Sequence, residues 1–197
     1  MVDEALKEVA AKALGESGVD SSDEQSLISL IDAGEHLKLV YYATLLLRDV
    51  GTAAAIPCLK KALAYPKQDI KIAALCTIAD IAKESESDFY REKLTDGSFR
   101  EKWAALYSLE RYGDASAIGS VGDRLKKLLR KTHRNEWGCN TEIVLATKYL
   151  ARFSTNPDAT VCLSLVSEKW ETLKPPEQDA LKDIIARSSA KSGDKSA

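Results

Sequence analysis

The chain has 197 residues, 45% hydrophobic and 29% charged, with ten glycines and five prolines. That composition excludes disordered and collagen-like chains, and the length suffices to bury a core without disulfides or a structural metal. A formal net charge of −2 excludes a strongly basic nucleic-acid-coating protein, while the charge itself is uneven: residues 1–36 hold nine acids against two lysines, a net of −7, and residues 37–197 carry a net of +5.

In chain order, Leu6, Val9, Ala10, Ala13 and Leu14 predict one amphipathic helix. Its acids Asp3, Glu4 and Glu8 and its lack of an uninterrupted apolar core argue against a secretory signal. Ser22 or Asp20 caps a second helix running through Leu27, Ile28, Leu30 and Ile31. Together these form an N-terminal capping region over residues 1–35.

From residue 36 an internal repeat takes over. The small residues Ala43, Ala74, Ala105 and Ala146 lie 31, 31 and 41 residues apart. Two residues before each anchor come Tyr41, Ile72, Trp103 and Val144; four after come Leu47, Ile78, Leu109 and Leu150; seven after come Val50, Ile81, Tyr112 and Phe153. These offsets share one side of a helix. In the first and third copies Gly51 and Gly113 follow as expected helix C-caps in positive φ, and Ala55-Ile56, Leu59, Leu63 and Ala117-Ile118, Val121, Leu125 define a second, antiparallel helix. In the other copies the second helix is expected to begin near Ser87-Asp88-Phe89-Tyr90 and at Pro157-Asp158-Ala159. Pro175-Pro176 then opens a capping helix over 171–187 with Ala180, Leu181, Ile184 and Ile185 on one face, and residues 188–197 are expected to be a disordered tail.

Lys102, Ala105, Leu109, Gly113, Asp114, Ala117 and Ile118, together with Ala43, Leu47, Gly51, Ala55, Ile56 and Pro57, resemble the HEAT-like (armadillo-type) repeats, in particular the short form of phycobilisome-lyase-type proteins. The resemblance covers about residues 36–170. It implies an all-α protein, a right-handed α-α superhelix or solenoid of about four helical hairpins with helical caps, in which second helices line the concave surface. Val40 departs from the pattern, which has a basic residue there, and Gly119 and Gly122 fall inside a predicted helix, each costing up to ~1 kcal/mol relative to Ala unless a close approach requires them.

Chemistry-bearing constellations are sparse. The only histidines are His36 and His133, so no multi-histidine metal site exists, and no phosphate loop or nucleophile elbow is present. His133, Glu136 and Cys139 are expected to be ordinary loop residues, and Asp80, Glu84, Glu86 and Asp88 to serve the N-terminal dipole of the helix they precede. The four cysteines, Cys58, Cys76, Cys139 and Cys162, contain no CxxC pair, which predicts reduced thiols and a cytoplasmic setting. No window reaches the ~18 apolar residues of a membrane span. No catalytic residue, metal or cofactor is assigned, and the chain leans away from being an enzyme.

The informative feature is a basic run, Arg124, Lys126, Lys127, Arg130, Lys131 and Arg134. Arg124, Lys127 and Lys131 share a helix face, and if second helices line a common surface then Lys60, Lys61 and Arg91 approach it. Trp137 adds an aromatic in the loop that lengthens the third spacing. These residues form the expected partner-binding surface of a protein-binding or adaptor module, its ligand an acidic protein surface or peptide. The rival readings are a bilin-lyase-type chaperone or enzyme, which the resemblance implies, and a HEAT-like nucleic-acid-binding protein, which the low net charge disfavours. A final expectation concerns packing: Ala62 lies beside the Ile56, Leu59, Leu63 stripe and should tolerate a larger side chain, whereas the anchor Ala105 should not.

Overall fold

The structure is a computed structural model describing residues 2–13, 15, 18–131 and 138–193. Among these every regular element is helical and none is a strand. The chain forms two compact units, Met1–Glu86 and Ser87–Ala197.

The first unit contains α1 (Val2–Ala13), α2 (Glu24–Ala33), α3 (Leu37–Val50), α4 (Ile56–Ala62) and α5 (Gln68–Ala82). Helix α3 is its centre, packed against α1, α2 and α5, while α4 packs on α2 and α5. The reason is the sequence stripe: Val40, Ala43, Leu47, Ala74 and Ile78 are all fully buried, and alanine at an anchor lets two helix axes approach toward the ~8 Å end of their usual range. Asp20 makes a capping box with the turn Ser21–Asp23 that precedes α2. The buried Val40 explains its departure from the repeat pattern, since a charge at that position would have to be desolvated.

The second unit contains α6 (Ser87–Asp96), α7 (Phe99–Tyr112), α8 (Ile118–Leu129), α9 (Glu142–Arg152), α10 (Pro157–Glu168) and α11 (Pro175–Gly193). Helix α9 is in contact with α7, α8, α10 and α11, and α8 with α6 and α10. Ala105, Leu109, Val121, Leu125, Ala146 and Leu150 are fully buried. Helices α6, α10 and α11 begin at the predicted Ser87, Pro157 and Pro175, and α11 continues past residue 187 to Gly193.

One tie recurs in both units. Thr52 and Asp114, each nine residues after its anchor, cap the turn that opens a second helix, accepting from the backbone N–H of Ala54 and Ser116. The backbone N–H of Thr52 donates to Glu24 at the start of α2 (2.6 Å), and that of Asp114 to the Ser87 hydroxyl at the start of α6 (3.5 Å). In each case a side chain at the start of the helix before the hairpin's first helix thus satisfies a donor that the turn leaves unpaired.

Three expectations are corrected. Gly51 and Gly113 end α3 and α7 with φ of −72° and −66°, not in the left-handed region. Glycine is needed there for space: a Cβ would lie 2.3 Å from the Leu47 carbonyl oxygen at Gly51 and 2.7 Å from that of Leu109 at Gly113. Ala62 is fully buried, so it has no more room than the anchors. Of the two glycines inside α8, only Gly122 has a close neighbour, Cys162 Sγ at 2.9 Å from a Cβ; around Gly119 there is open space.

Candidate functional site

The basic residues singled out by sequence have unequal fates. In the first unit Lys60 pairs with Glu86 and Lys61 with Asp32, both at 2.9 Å. The Asp32 carboxylate raises the Lys61 pKa by its hydrogen bond and its charge. In the second unit Arg91 pairs with Asp88 at 2.5 Å and reaches the Ser116 carbonyl. The acidic residues Asp80, Glu86 and Asp88 are correspondingly bound to Arg48, Lys60 and Arg91, and no group of His, Cys, Asp and Glu fit to hold a metal occurs among the described residues.

Arg124 turns inward. Its Nε and Nη2 donate to the two carboxylate oxygens of Glu142 at 2.5 and 2.6 Å, and Glu142 is fully buried at the first turn of α9. Its place on the helix explains this: Arg124 flanks the buried stripe of Val121, Leu125 and Leu128, so its guanidinium lies over α9. Next to it, the Thr141 hydroxyl donates to Glu177 at 2.8 Å, and Glu177 accepts from the backbone N–H of Lys174 at 2.9 Å. From the other side Trp103 Nε1 donates to the Asn140 carbonyl at 2.8 Å. Helices α7, α8 and α11 are therefore all pinned to the short stretch Asn140–Glu142.

Beyond Arg124, toward the end of α8, the cations face water. Lys127, Arg130 and Lys131 are exposed and have no ion pair with a described residue, while Lys126 pairs at the surface with Asp123 at 3.6 Å. Positive charge at a helix C-terminus is favoured by the backbone dipoles, so this cluster sits where it costs least. His133, Arg134, Glu136 and Trp137 lie outside the described residues.

Sequence reasoning missed an aromatic ridge on α7. Phe99, Trp103, Tyr107 and Arg111 follow at intervals of four and share one face. Phe99 is 51% exposed. Trp103 is half-buried, its ring stacked on Tyr107 at 5.5 Å and 14°, and Arg111 lies over Tyr107 at 5.4 Å. The i, i+4 aromatic spacing was the available signal.

The thiols offer no nucleophile in the core. Burial pushes Cys58 up to about 11 and raises Cys162, which suppresses the thiolate that nucleophilic chemistry requires. Cys139 is exposed in the turn before α9. In comparisons with known proteins, the chain matches no family model and no curated sequence.

Proposed function

We propose that the protein is a non-enzymatic binding module, an α-solenoid of about four HEAT-like hairpins in a cytoplasmic setting, whose second helices hold an acidic protein segment. The observation that carries this reading is the exposed group Lys127, Arg130 and Lys131 at the end of α8, cations without an ion pair to any described residue. Each unit carries further cations of this kind, Lys60 and Lys61 in the first and Arg91 in the second, exposed or half-buried, whose surface pairs cost little to exchange for a partner's carboxylates. Arg124 holds α8 against α9 and so positions the cluster. The alternating contacts within each unit, α3 with α5 and α2 with α4, α7 with α9 and α6 with α8, support a solenoid. Four free cysteines suit a reducing compartment.

Complementary charge acts mainly on encounter rate. A twenty-residue polyglutamate peptide should therefore associate more slowly as salt rises. The double variant Lys127→Glu/Lys131→Glu should associate about tenfold more slowly in low salt, with an unchanged melting temperature, because exposed charges contribute little to folding. An unchanged association rate would make the cluster mere solvated surface, and tighter binding of duplex DNA than of the peptide would favour the nucleic-acid reading.

A further inference from the structure

We infer that the acidic segment carries an aromatic side chain, and that this side chain seats on the α7 ridge against Phe99 and Trp103. The inference rests on the binding reading above and names the second half of what its partner must present. Among the described residues, Phe99 and Val161 are the large hydrophobic side chains left exposed. Phe99 stands one turn before Trp103 on the same face of α7.

The backbone turn and the Trp103 ring of the seat are held in place before anything binds. Ser98 and Glu101 form a reciprocal capping box that fixes the first turn of α7, with the Ser98 N–H donating to Glu101 at 3.0 Å. Trp103 is oriented by its hydrogen bond to Asn140 and by its stack on Tyr107. The held Trp103 ring loses little conformational entropy when covered, which makes it an efficient anchor. An incoming aromatic ring gains both burial and the favourable edge-to-face or offset geometry.

The ridge and the cations belong to one end of the second unit. Trp103 touches Asn140, Arg124 touches Glu142 two residues later, Lys127 follows Arg124 on α8, and Lys131 lies just past its end. Twelve extended residues reach about 40 Å, enough for one segment to meet both features. Carboxylates are the suitable charge on that segment because Lys127, Arg130 and Lys131 have no ion pair with a described residue, while Glu142 and Glu177 are buried and bound internally and Asp123 is engaged by Lys126. A single-stranded nucleic acid is the other occupant for an aromatic surface beside cations, but Lys127, Arg130 and Lys131 could neutralise only a few phosphates and so offer little of the counterion release that drives such binding.

The test uses the full chain and two fluorescently labelled twelve-residue Asp/Glu-rich peptides, identical except for a central Phe or Ala. Anisotropy titrations at one salt concentration should give about tenfold tighter binding of the Phe peptide, the scale of one well-placed aromatic contact with its burial. In Phe99→Ser that ratio should fall toward one, with melting by circular dichroism showing that the variant is folded. The ratio measured on the unaltered chain stands by itself if the variant does not fold. Equal affinities on the unaltered chain would overturn the aromatic seat and leave the acidic-segment reading intact. Absence of binding by either peptide would overturn both. Tighter binding of a twelve-nucleotide oligothymidylate than of the Phe peptide would overturn the inference in favour of a nucleic acid.

Discussion

Arg124 on α8 grips both carboxylate oxygens of Glu142, a residue with no solvent exposure at the start of α9. A bidentate pair of this kind fixes the approach of two helices, since a buried carboxylate without its cation is strongly penalised. Arg124→Ala should accordingly lower unfolding free energy by ~3 kcal/mol, and adding Glu142→Leu should recover part of the loss. Urea denaturation of both variants checks this; a loss under ~1 kcal/mol, the range of surface ion pairs, would mean the pair does not support the fold.

The two glycines of α8 should respond in opposite directions. Gly119→Ala enters open space on an exposed helix position, and should stabilise by ~0.5–1 kcal/mol through helix propensity and the unfolded chain's reduced freedom. Gly122→Ala would press on Cys162 Sγ at 2.9 Å, and overpacking of ~1 kcal/mol or more should outweigh the propensity gain. Cys162→Ala in the Gly122→Ala background should restore stability relative to Cys162→Ala alone. Thermal melts of the four variants decide it.

Ala105→Leu and Ala62→Leu should both destabilise, each by ~1–3 kcal/mol, because both positions would have to accommodate three extra carbons in a filled interior. Both residues have zero exposure. Ala186→Leu, on an exposed position of α11, is the control and should shift the urea midpoint little. A tolerant Ala62 would show that α4 can move away from α2 and α5.

Asp114 predicts a pH dependence. The Ser116 hydroxyl and backbone N–H, at 2.5 and 2.9 Å, hold its carboxyl below the usual range. A carboxylate whose folded pKa is depressed contributes stability that is complete above its unfolded pKa of about 3.9 and is lost as pH falls through the folded value. Asp114→Ala should cost ~1 kcal/mol at neutral pH, the typical worth of an N-cap. The gap between parent and variant in urea midpoint should persist down to about pH 5 and shrink from about pH 4 downward. A gap independent of pH would mean that the charge does not contribute to the cap.

The local period and the caps of the sequence determined where the helices lie. Ala43, Ala74, Ala105 and Ala146 are buried because their offsets place them on the inner side of a helix whatever its neighbour. Helices start at Ser87, Pro157 and Pro175 because short-range chemistry ends one turn and begins another. What needed the tertiary structure was every property set by a second element. Ala62 looks peripheral to its own stripe and is buried between helices it does not follow in sequence. Gly51 and Gly113 read as positive-φ caps, but the carbonyls of Leu47 and Leu109 crowd them at negative φ. Lys60, Lys61 and Arg124 have the same helical spacing as exposed cations, yet their charges meet Glu86, Asp32 and Glu142, which lie 26, 29 and 18 residues away. Spacing along one helix says which side chains share a face, and only the packing of helices distant in sequence says which of those faces meets a carboxylate and which meets water.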